Sequence, residues 1–180
     1  ASIYTSFFYP PALPPSFREM DIRTSFLQPL RPWKRHRLFI PLYPLAFWAF
    51  DLSNYEVVIS SASFAAKGVR VPRGIHICYC HTPPRFLWGY ETATDRSRLH
   101  PLARRGLGVV EAVLQHWDWA AAQRVDIMVA ISREVAGRIE RAYRRSPLVI
   151  YPPVDCARFL HREPQEGDFL LSVSRLDRYK

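Results

Sequence analysis

The chain has 180 residues and a formal charge of +9, from 25 Lys and Arg against 16 Asp and Glu. With 48% hydrophobic and 23% charged residues it holds too much core-forming material to be a disordered chain. Roughly 70% of the unfolded surface can be buried at this length, so one domain, or one domain with a piece of another, is expected.

Cys78, Cys80 and Cys156 are odd in number and form no CxxC or Cys/His zinc spacing. They indicate neither a disulfide framework nor a structural metal, and point to a reducing compartment. The most apolar run, Leu38 to Phe50, is interrupted by Pro41 and Pro44 and falls far short of the ~20 residues that span a bilayer. The opening Ala1-Ser2-Ile3-Tyr4 has no initiator Met, basic n-region or apolar h-region, so no signal peptide is expected and the chain reads as an excised piece.

In chain order, Ile3 to Tyr9 is aromatic and β-branched and closes on Pro10-Pro11, which predicts a strand. Frequent prolines make Pro10 to Pro44 a loop, with one short strand near Ile22 to Leu27. Glu56 to Ser60 and His76 to Cys80 are short apolar runs bounded by turn signals, the pattern of strands buried on both faces. Pro101 to Val125 places Val110, Val113, Leu114, Trp117, Ala120 and Ala121 at helical spacing, an amphipathic helix despite Gly106 and Gly108. Asp126 to Ile131 is another buried strand. Ser132 then stands where an N-cap belongs, with Val135 and Ile139 on the apolar face of the helix behind it. Leu148 to Tyr151 and Phe169 to Val173 are further strands, separated by a polar linker at 152–168. Strands alternating with helices imply a parallel sheet with helices on both faces and a ligand crevice at the strand carboxyl ends.

His81, in Cys80-His81-Thr82-Pro83-Pro84-Arg85, follows such a strand and would face the crevice, although a histidine there could equally bond its own loop. Cys80 points to the opposite face from His81 and reads as a small buried residue rather than a nucleophile. Arg175 and Lys180, after the last strand, could together hold a diphosphate, Arg as a bidentate fork and Lys as a point charge; a solvated charged turn would look the same. Ser132 is explained as an N-cap, although a helix start at a crevice can also hold an anion or hydroxyl. No acidic residue occurs between Asp21 and Asp51, where Arg23, Arg31, Lys34, Arg35 and Arg37 lie among Trp33, Phe39, Tyr43, Phe47, Trp48 and Phe50. That composition suits an anionic membrane surface, and also a nucleic-acid backbone. Only Lys34, Lys67 and Lys180 among the 25 basic residues are lysine, and such an Arg bias does not itself argue for nucleic acid. No helix-turn-helix or RNP signature is present either.

In order, the chain carries Val58-Ile59-Ser60-Ser61, Ala66-Lys67-Gly68-Val69, His76 to Pro83, Trp117 to Asp126, Ala130-Ile131-Ser132-Arg133, Tyr151-Pro152-Pro153-Val154-Asp155 and Val173-Ser174-Arg175-Leu176. This ordered set resembles the bacterial family 4 glycosyltransferases, particularly mannosyltransferases of polysaccharide assembly. The resemblance implies a retaining transferase of the GT-B fold, with two Rossmann-like domains facing a cleft and no metal ion or other cofactor. Its partners would be a nucleotide-diphosphate sugar and a glycan or lipid-linked acceptor, met in the cytoplasm or on the inner face of the membrane. It implies that His81 lies near the transferred sugar and that Arg175 and Lys180 contact the donor diphosphate; Thr82, Arg85 and Ser132 are candidates to line the acceptor site or the cleft.

Family members carry a further strand and a glycine-rich turn before the segment matching Ile3 to Pro10, and paired glutamates in a second domain. They often have His where Phe64 stands here. The expected organisation is an acceptor domain at 1–151, a linker at 152–168 and the start of a donor domain at 169–180. Such a piece would be inactive by itself. The alternative class is a non-catalytic basic α/β module that binds anionic membrane or nucleic acid.

Overall fold

The computed structural model describes residues 1–30, 36–90, 100–157 and 168. The expected linker beyond residue 157 and the segment 169–180, with Arg175 and Lys180, therefore lie outside the described residues, apart from Asp168. Among the described residues there are six strands and three α-helices: β1 (Ser2–Thr5), β2 (Asp21–Thr24), α1 (Tyr43–Trp48), β3 (Val57–Ala62), β4 (Ile75–Cys80), α2 (Pro101–Gln123), β5 (Ile127–Ala130), α3 (Arg133–Tyr143) and β6 (Leu148–Val149). The fold is α/β and its sheets are parallel, as the alternating pattern predicts. β3, β4, β5 and β6 lie side by side in that order, with Ala62 beside Cys80, Cys80 beside Ala130 and Ala130 beside Val149.

β1 and β2 form a separate parallel pair rather than continuing that sheet. A groove of about 420 Å³ runs between the two, lined by Ser2 to Thr5 on one side and Val57 to Ser61 on the other. Between β2 and β3 the prolines do not enforce an irregular loop. Pro44 occupies the first turn of α1, where its missing N–H costs nothing. Short 3-10 turns at Gln28–Leu30 and His36–Leu42 precede α1, and two more, Pro10–Ala12 and Pro15–Glu19, stand between β1 and β2.

The core lies on one face of the four-stranded sheet. Cys78 and Cys80 of β4, with Met128 and Ala130 of β5, pack against Ala122 of α2 and Val135, Ile139, Ala142 and Tyr143 of α3. On the other face, Val57, Ile59 and Ile75 are exposed, so among the described residues α2 and α3 cover a single face. The predicted apolar stripe of α2 is buried in part. Leu114 and Ala121 are buried, whereas Val110 and Val113 are exposed. A helix of 23 residues is about 34 Å long and a six-residue strand only about 20 Å, so the amino-terminal half of α2 overhangs the sheet. Ser132 caps α3 as predicted, accepting the Val135 N–H at 3.2 Å.

Beside this core lies a polar network without exposed surface. Lys67 Nζ donates to Asp118 Oδ1 at 2.5 Å, with both side chains 0% exposed. Nζ also donates to the carbonyls of Ser63 and Phe64 and stands 5.2 Å from the centre of the Tyr143 ring. Asp118 Oδ2 accepts from Trp88 Nε1 at 2.9 Å and Tyr143 Oη at 2.7 Å. Burial, and then the Asp118 carboxylate, push the Tyr143 phenol well above its ordinary range. Gly68 lets this turn close on α2, because a Cβ there would stand 2.3 Å from the Trp117 ring. An ion pair taken out of water loses much hydration, and only full partnering compensates. Lys67→Met leaves Asp118 charged and buried, so denaturant unfolding should show a loss of about 3–5 kcal/mol. Lys67→Met with Asp118→Asn, which removes both charges, should lose less.

A second buried polar pair joins β3 to β4, where Ser60 Oγ and His76 Nε2 share a hydrogen bond of 2.8 Å. Burial lowers the imidazole from 6.5 to about 4, against the opposing effect of the Asp126 carboxylate. Between those values the unfolded chain holds the extra proton, so stability falls as pH falls from 6.5 to about 4. The full loss is up to about 3 kcal/mol. Urea midpoints measured across this range should decline less steeply in His76→Gln than in the parent.

Candidate functional site at the strand carboxyl ends

β3, β4, β5 and β6 run in one direction and end together, so the residues that follow them share one rim of the sheet. His81 is the first residue after β4 and is exposed. Its N–H donates to the Ala62 carbonyl at 3.2 Å, which continues the ladder by one bond and places the side chain on the face opposite Cys80. There His81 Nε2 and Ser61 Oγ share a hydrogen bond of 2.9 Å. The Tyr79 ring meets the imidazole edge-on at 5.8 Å, and Tyr79 Oη donates to the Ile150 carbonyl beyond β6. The ring is thus held from two sides, while Nδ1 has no hydrogen-bond partner among the described residues.

The next residues turn away from the sheet. Pro83 and Pro84 are buried, and the Pro84 carbonyl accepts from Leu87 and Trp88. Thr82 Oγ1 is buried with no hydrogen-bond partner among the described residues. A hydroxyl in that condition forgoes about 1–3 kcal/mol relative to a satisfied one. Arg85 is half-buried in the same turn, and its carbonyl accepts from Tyr90. Ser132 stands at the end of β5 on the same rim, with its hydroxyl committed to the α3 cap.

The geometry therefore brings His81, Thr82 and Ser132 to one edge. Ser61 was not singled out from the sequence, yet it holds the His81 ring. The available signal was its place at the end of a strand directly beside the strand that precedes His81. Phe64 sits edge-on to Phe86 and Trp117, at 5.4 and 5.7 Å, so that position serves an aromatic cluster rather than a polar function. Cys78 and Cys80 are buried on the core face, and the Cys80 thiol is pushed up by its hydrogen bond with Cys78 and by burial. Neither sulfur reaches the rim. Among the described residues no three His, Cys, Asp or Glu side chains converge as a metal site would require.

Searches against protein-family models, curated proteins and solved structures each find no match. The rim offers a braced, solvent-facing imidazole, a buried hydroxyl without a hydrogen-bond partner among the described residues, and the start of a helix.

Proposed function

We propose that this chain is the acceptor side of a retaining glycosyltransferase. The enzyme would move a hexose, with mannose the first choice, from a nucleotide-diphosphate sugar to a glycan or lipid-linked acceptor. The observation that carries this reading is the exposed His81 ring, braced by Ser61 at the carboxyl end of β4. Parallel α/β sheets bind their ligands at that edge. The ordered sequence resemblance supports the same reading and supplies the reaction class.

In the proposed reaction the bond from the anomeric carbon to the diphosphate oxygen breaks, and the acceptor oxygen bonds to the same face of that carbon. The acceptor proton passes to the departing phosphate, so His81 need not serve as a base. Its free ring nitrogen would hydrogen-bond a hydroxyl of the transferred sugar and fix it beneath the acceptor. Ser61 would keep the ring from rotating. Thr82 Oγ1, in the next residue and without a hydrogen-bond partner among the described residues, is suited to accept or donate one further bond if the turn moves. Arg175 and Lys180 are assigned to the diphosphate, whose charge grows as the bond breaks. The same reading puts the enzyme on the cytoplasmic side, where nucleotide sugars are made.

His81→Ala, in a protein that also carries the donor domain, should lower kcat at least about tenfold, or roughly 1.4 kcal/mol, with Tm unchanged. A folded variant with unchanged kcat would overturn the assignment. Arg175→Ala and Lys180→Ala should each lower kcat/KM for the donor by a similar factor, and the 180-residue chain alone should turn over no nucleotide sugar.

A further inference from the structure

Between β2 and β3 the chain displays an apolar surface that the rim chemistry does not use. The 3-10 turn His36–Leu42 runs directly into α1, and the two together present Leu38, Pro41, Leu42, Leu45, Trp48 and Ala49 as exposed residues at helical spacing. Leu38 is 69% exposed, Leu42 41%, Leu45 52% and Trp48 48%. The opposite side of α1 buries Pro44 and Ala46 and packs on the turn Ala65–Gly68, so the exposed side is held rigidly by the fold. Arg70 follows that turn, is exposed, and places its guanidinium 5.1 Å from the centre of the Trp48 ring. Arg73 is exposed three residues further on. No acidic residue occurs between Asp21 and Asp51, and the Asp51 carboxylate at the far end already accepts the Ser53 N–H.

We propose that this face docks on an anionic lipid surface. Leu38, Leu42 and Leu45 would enter the acyl boundary, Trp48 would sit at headgroup level, and Arg70 would meet the phosphates. Charge complementarity selects this occupant. An indole with a cation over its ring matches the interface between hydrocarbon and phosphate, where Trp is enriched and basic side chains attract anionic headgroups. A nucleic-acid backbone would meet the arginines but leave the leucines in water. A second copy would cover the leucines but bring two chains of charge +9 together, with Arg70 at both edges. No helix among the described residues is long and apolar enough to cross a membrane, so the contact would be peripheral. The inference does not depend on the transferase reading.

The test is co-sedimentation of the 180-residue chain with vesicles of phosphatidylglycerol and phosphatidylcholine, and with phosphatidylcholine alone. Binding should favour the anionic vesicles and weaken as salt rises. Arg70→Gln should reduce it about fivefold. Leu45→Ser and Trp48→Ser should each reduce it about tenfold or more, with Tm checked for each. Ile59→Ser, on the exposed face of the sheet, should leave it unchanged. Three results would overturn the proposal: equal partition to both vesicle types, binding unaffected by Leu45→Ser and Trp48→Ser in folded protein, or self-association or nucleic-acid binding through this face without lipid binding.

Discussion

A lysine and an aspartate with no exposed surface, 51 positions apart in sequence, tie together several elements of the described fold. Buried charge is tolerable only when it is well partnered, and here the ammonium makes three hydrogen bonds and the carboxylate accepts three. Lys67 uses Asp118 and two carbonyls, while Asp118 takes Lys67, Trp88 and Tyr143. Four separate parts of the chain must arrive together for that to hold: the turn after β3, the turn after β4, α2 and the end of α3. A partly assembled version would leave an uncompensated charge in the core, which makes the network a strong selector of one packing.

The rim depends on that same network. Ser63 and Phe64 continue from the strand that supplies Ser61, and their carbonyls are held by Lys67. Trp88 lies in the turn that begins at His81, and its indole is held by Asp118. Both sides of the His81–Ser61 pair are therefore fastened from beneath by one buried ion pair. An exposed imidazole can keep a fixed position in this way although nothing covers it.

Much of the architecture was legible because it rests on local pattern. The apolar runs at Glu56 to Ser60, His76 to Cys80 and Asp126 to Ile131 become adjacent parallel strands within a residue or two, and Ser132 caps its helix. Other features depend on partners that periodicity cannot see. The stripe on α2 shows which side of the helix could be buried, but not that the sheet is too short to cover it, so Val110 and Val113 emerge exposed. The proline-rich stretch reads as loop because proline interrupts helices, yet at a first turn it begins one. His81 was visible from its place after a strand. Ser61 and the Lys67–Asp118 pair were not, because each acquires its meaning only from a residue far along the chain.

Two adjacent serines on β3 serve two histidines, one on β4 and one directly after it, from opposite faces of the sheet, Ser60 to His76 inside and Ser61 to His81 outside. Alternation of apolar and polar residues distinguishes a strand from its neighbour shifted by one, because that shift turns the side chains over. It does not detect a shift by two, which restores every face. The paired hydroxyls do detect it, since the two bonds run diagonally in opposite directions along the ladder: a shift of two residues either way sets one serine directly opposite its histidine and leaves the other four residues, about 13 Å, from its ring. The serine pair therefore works as an alignment mark for the sheet, one that distinguishes the native pairing from the out-of-step arrangement that hydrophobicity alone would accept.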